Sequence, residues 1–403
     1  MHAGARVAAL FLTCLALGGC AATATGSSRR ATATIASARA GGGAGSAGTA
    51  CSAVVDATLL SVAQRIYAQA AGGRNVASVE RRFARSRALG RAVAVGNRAA
   101  TRAALAPLLK AQVKRLVVWR GSRELARLGH TAALAPVTAT IHDAGGTPVG
   151  HYRFAVAGDA GIAGLIHTLT GAGVSMTAAG HPVAHVAGAT GPARSFVATA
   201  FPQGALRVRL AMATPAALTC APSADQTRAR AIGAVGERLY QAEASGRATQ
   251  RVLRHVARDA RFLHTVAHAD ARALRAEIVH LFRGRTLHVV RIRAVTATGR
   301  LVNDVGGPYV LAPASTPLRL GGRAIGRATL SIQDDTGFVK LMQRFTGAVI
   351  ELRTPAGRVP GGNVPAPGRA YWRAGFDARA FPAGPLRVTE LILRRGRGSG
   401  RRR

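Results

Sequence analysis

Polar and apolar positions change period several times along this chain, and the changes mark out its elements. Residues Ala328 to Gln333 alternate, with Leu330 and Ile332 on one side, as a half-buried strand does. From Asp334 onward Phe338, Leu341, Met342 and Phe345 fall at helical spacing. Asp334 or Asp335 is placed to cap the first turn, and Thr346-Gly347 to end the helix. Val349, Ile350 and Leu352 then begin another strand. The same pattern occurs earlier: Gly150 to Gly171 matches Gly326 to Gly347 without a gap, pairing Asp159 with Asp335, Gly161 with Gly337 and Leu165 with Leu341. Ile66-Tyr67 answers to Leu239-Tyr240, and Phe201-Pro202 to Phe381-Pro382. The chain is therefore a tandem duplication.

Each copy opens on a helix, with stripes Leu59, Val62, Ile66 and Ile232, Val235, Leu239, closed by Gly72-Gly73 and Gly246. Further helical patterning leads to short helices at Ala99 to Leu109 and Ala271 to Phe282, with Asn97 and Asp270 at their N-caps. The period then falls to two. Strands are expected at Val113 to Trp119 and Leu287 to Arg293, followed in the second copy by Arg300 to Val305 and a loop from Gly306 to Pro313. After the central strand and helix come strands Ala348 to Leu352, Tyr371 to Ala378 and Gly384 to Leu393. This order predicts an α+β fold, each copy one antiparallel sheet with its helices packed on one face. The copies are placed at 51–213 and 226–393 with a linker at 214–225, each long enough to bury its own core.

Charge adds a second theme. Lys and Arg number 55 against 17 Asp and Glu, a formal charge of +38, while a hydrophobic content of 48% argues against wholesale disorder. Such a surface suits either nucleic acid or anionic lipid and wall polymers, and no basic helix, stacking motif or zinc finger accompanies it. Residues 21–50, rich in Ala, Gly, Ser and Thr, read as a flexible spacer, and 394–403 as a disordered basic tail. At the amino terminus, Arg6 precedes an apolar run, Val7 to Leu17, of secretory-signal length. Its end, Leu17-Gly18-Gly19-Cys20, resembles the lipobox of bacterial lipoproteins. That resemblance implies removal of residues 1–20, a diacylglycerol on Cys20 and an extracytoplasmic protein anchored to the outer face of the cytoplasmic membrane. An ordinary cleaved signal is the alternative. Cys14 would leave with the signal and Cys20 would carry the lipid, so Cys51 and Cys220 remain, either bridged between copies or as two reduced thiols.

Leading helices, the strand Gly326 to Ile332 with Asp334-Asp335 and a short helix, then Val349 to Val359, resemble extracytoplasmic Cache domains, the PAS-like sensor modules of bacterial receptors. The resemblance implies small-molecule binding between the sheet and the loops over it. The arginine, tryptophan and tyrosine signature of amino-acid-binding members is missing here, as are a kinase and a methyl-accepting segment.

For such a ligand Arg291 and Arg293 share one strand face with Leu287 and Val289, two guanidiniums able to clamp a carboxylate or phosphate, with Tyr309 as a lid. In the first copy Val118 would stand for Arg291 and only Arg120 for Arg293, with the loop reduced to Gly129-His130. The arginines could equally edge a surface. Asp334-Asp335 read as caps rather than metal ligands. His264 and His268 have zinc-helix spacing, yet Thr265 stands where a catalytic glutamate would be. No nucleophile elbow, phosphate loop or Cys-x-x-Cys occurs, so no enzyme activity, cofactor or metal is expected. Two readings follow: a lipid-anchored sensor of a small anionic ligand, working through a signalling partner, or a structural or adhesion lipoprotein gripping anionic envelope polymers or extracellular nucleic acid.

Overall fold

A computed structural model describes residues 46–109, 113–129, 133–201, 204–213, 220–284, 287–308 and 310–394. In the first half α1 (Ser46–Gly72), α2 (Arg74–Ala84), α3 (Arg87–Val95) and α4 (Arg98–Leu105) lead into β1 (Arg115–Arg120), β2 (Arg123–Leu128), β3 (Ala133–Leu134), β4 (Val137–His142), β5 (Pro148–Ala155) and β6 (Ala157–Gly158). Then come α5 (Asp159–Thr170), β7 (Gly173–Ala178), β8 (His181–Val186), β9 (Ala193–Thr199) and β10 (Ala205–Ala211). The second half repeats this order element for element. It has α6 (Ala224–Ser245), α7 (Arg247–Val256), α8 (Ala260–Ala267) and α9 (Ala271–Arg283), then β11 (Arg291–Thr296), β12 (Leu301–Gly306), β13 (Val310–Leu311), β14 (Ala314–Leu320), β15 (Arg323–Ser331) and β16 (Gln333–Asp334). It closes with α10 (Asp335–Thr346), β17 (Val349–Thr354), β18 (Gly357–Arg358), β19 (Tyr371–Ala380) and β20 (Gly384–Leu393).

The fold is α+β with antiparallel sheets, but each half builds two sheets of four or more strands where one was expected, and the first half adds the two-stranded pair β3-β6. Their orders are β2-β1-β5-β4 and β8-β7-β10-β9, then β12-β11-β15-β14 and β18-β17-β20-β19, the last extended by β13 and β16. One plan thus occurs four times: two hairpins side by side, the first strand of one against the last strand of the other. The second half's added hairpin pairs β14, whose Pro317 lacks a backbone N–H, with β15. β14 is an edge strand, where a missing N–H is tolerated. Helix α1 also begins at Ser46, inside the expected spacer 21–50.

Short side chains set the local punctuation. Asn97 and Asp270 accept from Ala100 N and Ala273 N at the starts of α4 and α9, both at 2.9 Å. Gly171 and Gly347 end α5 and α10 at φ of 70° and 75°, the left-handed region glycine tolerates. Thr170 and Thr346 donate to Ile166 O and Met342 O and accept from the amides of Ala172 and Ala348, the same turn written twice.

Three cores result. Val79, Phe83 and Leu89 from α2 and α3 pack on Leu116, Tyr152 and Phe154 of the first sheet, and Val252, Phe262 and Ile278 from α7 to α9 on Ile292, Leu318 and Leu330 of the third. The largest core is shared by both halves: α1, α5, α6 and α10 lie together between the β7–β10 and β17–β20 sheets. The expectation of one private core per copy is therefore corrected. Helix α1 touches α6 and α10 of the other half as well as α5 of its own, which needs a broad apolar face: Val55, Leu59, Ala63, Ile66 and Ala70 run along its centre, with Val62 on one flank and Tyr67, Leu60 and Ala71 on the other. Arg238 of α6 donates to Thr170 O at 2.8 Å, closing the end of α5 across the halves. Reciprocally, the Arg65 guanidinium of α1 lies against Gly347 at the end of α10. Cys51 and Cys220 are joined by a disulfide, Cα to Cα 5.7 Å, at the starts of α1 and α6.

A buried tyrosine pins each half's two sheets together. The Tyr67 hydroxyl donates to Thr199 O and accepts from Ala135 N at 2.8 Å; that of Tyr240 donates to Arg379 O and accepts from Ala312 N at 2.7 Å. Ala135 and Ala312 sit at φ of 53° and 52°, so these hydroxyls hold turns that alanine disfavours. Replacing Tyr240 by Phe leaves two buried backbone groups without their partner, and urea unfolding should show a loss of about 1–3 kcal/mol. A variant as stable as the parent would remove the tyrosine from this role.

Candidate functional site

The strand carrying the expected arginines starts at Arg291 rather than Leu287, so Leu287 and Val289 do not belong to it. Ile292 and Ala294 point into the lobe core, which leaves Arg291 and Arg293 on the opposite face. Both turn to one carboxylate. Arg291 Nε and a terminal nitrogen donate to the two oxygens of Asp304 at 2.7 and 2.8 Å, and Arg293 reaches the same group at 3.6 Å. The remaining Arg291 nitrogen donates to Gly307 O at 3.0 Å, and its guanidinium lies 4.8 Å from the centroid of the Phe381 ring. Arg291 is thus spent on binding β12, the following loop and the end of β19 to one another.

The first half corrects the comparison drawn from sequence. Arg115, the first residue of β1, sits over Phe201 at 4.9 Å just as Arg291 sits over Phe381, so Arg115 and not Val118 is its counterpart. The counterpart of Arg293 is then Val117, not Arg120. The spacing from glycine to the following short strand is equal as well: Gly129 precedes Ala133 of β3, and Gly306 precedes Val310 of β13, by four residues. Gly129 and Gly306 both take positive φ, and a side chain at either would collide with backbone across the strand pair, Lys114 O or Val290 O. The arginine-on-phenylalanine contact, present in both halves, is an architectural device; the bridge to Asp304 is made in the second half, whereas Arg115 Nε is buried without a hydrogen-bond partner. Tyr309 lies outside the described residues, as does Cys20.

Asp334 caps α10 by accepting from Gly337 N. Asp335 accepts from Thr336 N and, at 3.0 Å, from Gly361 N, fastening the loop after β18; burial pushes its carboxyl above the usual range. His264 and His268 stack with centroids 6.4 Å apart on an exposed helix side, and among the described residues no cluster of three His, Cys, Asp or Glu could hold a metal. A cleft of about 330 Å³ opens between α1 and α6, lined by Thr58, Ser61, Asp225 and Arg228 with Val54 and Ile232. Another, of about 530 Å³, lies on the outer side of α8 and α9 beside His255, Asp259 and His280. Neither contains Arg291 or Arg293.

Where the basic charge sits was not legible from composition. Part of it is carried on solvent-facing strand positions, where Arg123, Arg207, Arg209, Arg319, Arg323, Arg327, Arg353, Arg373 and Arg379 are all exposed, and part on helices, as at Arg81, Arg91, Arg251, Arg254 and Arg272. Alternation along the strands was the available signal, since Arg207, Arg209, Arg319, Arg327, Arg353, Arg373 and Arg379 each fall between less exposed neighbours. No helix among the described residues is long and apolar enough to cross a membrane. No family model, curated protein or solved structure matches the chain.

Proposed function

We propose that this chain binds anionic polymers outside the cytoplasmic membrane, held there through the Cys20 lipid that the lipobox resemblance implies. The observation that carries the reading is the display of unneutralised arginine on the exposed faces of several sheets, within a formal charge of +38. A guanidinium presents a planar fork of donors to phosphate or carboxylate without a preformed pocket, so extended strands bearing such groups suit a repeating polyanion. Binding of the full chain to inorganic polyphosphate tests this. If six or more charges are engaged, affinity should fall roughly 1,000-fold between about 50 and 200 mM salt. Retention that ignores salt, or none at low salt, sinks the reading.

The second reading is the tandem Cache-like sensor of a small anionic ligand. Helix-led antiparallel sheets and the cleft holding Arg228 favour it. It ranks behind because the Arg291 and Arg293 guanidiniums are turned to Asp304 and Phe381.

A further inference from the structure

On β10, Leu206, Val208 and Leu210 are fully buried while Arg207 and Arg209 are exposed. Residues directly opposite in an antiparallel ladder share a face, and two rows follow from the pairing. Arg209 stands between Ser175 and Ser195, with His185 beyond Ser175; Arg207 stands between Thr177 and Val197, with Pro182 beyond Thr177. Neither arginine makes a hydrogen bond or ion pair among the described residues, and no carboxylate stands in either row.

The corresponding face of the second half is built differently. There Thr389 stands between Glu351 and Gly375, and Arg387, between Arg353 and Asp377, is paired with Asp377 at 2.9 Å. The same sheet position thus carries acids in one half and none in the other. On the first half's face two guanidiniums sit two residues apart, about 7 Å along the strand, among hydroxyls able to donate to phosphate oxygens. The two rows hold no six-membered aromatic ring or indole for base stacking, which sequence-tolerant binding of single-stranded nucleic acid uses. They do hold Val197, 69% exposed beside Arg207, an apolar surface for the carbon backbone of a polymer without bases.

We infer that the outer face of the β8-β7-β10-β9 sheet docks a polyol-phosphate chain, a reading that rests on the polyanion-binding function. The test follows binding of the full chain to a glycerol-phosphate polymer by fluorescence anisotropy across a salt series. Arg207→Ala/Arg209→Ala should lower the slope of log affinity against log salt by about 1.4, or about 0.7 for each lost phosphate contact. Arg251→Ala/Arg254→Ala, exposed on α7 and outside the sheet faces, should leave it unchanged. A parent chain that binds with salt dependence while both variants keep its slope overturns the face and spares the function. A parent that shows no salt-dependent binding overturns the function itself. Tighter binding of single-stranded DNA of equal charge, weakened in the same Arg207→Ala/Arg209→Ala variant, overturns the polymer class.

Discussion

Raising the pH from about 5.5 to about 8.5 should cost the folded chain about 5 kcal/mol, roughly 3 from Glu390 and 2 from Glu243. Glu390, on β20, is fully buried with no hydrogen-bond partner on either carboxylate oxygen. It fits only because α6 carries glycine opposite: a side chain at Gly236 would lie 2.2 Å from a Glu390 oxygen, while one at Gly233 would be in ordinary contact with the other at 3.5 Å. Met342 of α10, Phe376 and Ala374 of β19 and Ile350 of β17 complete the surroundings. Glu237 on α6 and Arg387 on its own strand are the charges that act on it.

Burial pushes the Glu390 carboxyl up to about 8 and that of Glu243 up to about 7, against an ordinary 4.5. Between those values the native state holds protons that the unfolded chain has released. Stability is therefore greatest below about pH 4.5 as far as these groups are concerned, and falls as pH rises through 7 and 8. Urea unfolding across this range measures the effect. In Glu390→Gln the loss should shrink to about 2 kcal/mol, the share of Glu243. An unchanged slope in that variant would show that Glu390 does not titrate in the fold. The first half carries the apolar alternative, Leu210 with Ala63 at the matching positions, and Glu390→Leu is expected to raise stability at high pH for the same reason that apolar replacements of buried charge often do.

Opening the Cys51–Cys220 bridge should be as costly. The bond closes a loop of sequence separation 169, and the lost restraint on the unfolded chain corresponds to about 5 kcal/mol. It joins the starts of the two long helices that carry the shared core, so Cys51→Ser/Cys220→Ser should unfold at markedly lower urea than the oxidised parent. Added reductant should bring the parent to the same midpoint. Coincident curves for oxidised parent and double variant would mean the bridge adds nothing to folding.

The duplication was legible because turns and caps use chemically particular residues: Asp159 and Asp335, Thr170-Gly171 and Thr346-Gly347, Asn97 and Asp270. Each acts on backbone within a few residues of itself, which a sequence displays directly. The second sheet of each half was not legible, since the hairpin order is fixed by pairing between distant segments. The arginine tie was misread for a similar reason. Phe201 and Phe381, which fix the roles of Arg115 and Arg291, lie nearly 90 residues further along, and the register shifts by a few residues between the leading helices and the sheets.

Arg238 donating to the end of α5 and the Arg65 guanidinium against the end of α10 mean that each half's short helix ends against the long helix of the other. Losing either copy would strip that contact and leave the survivor with a bare apolar wall along its long helix. Reversion to a single unit is thereby blocked, and sequence drift is channelled into the two lobes whose interiors are private.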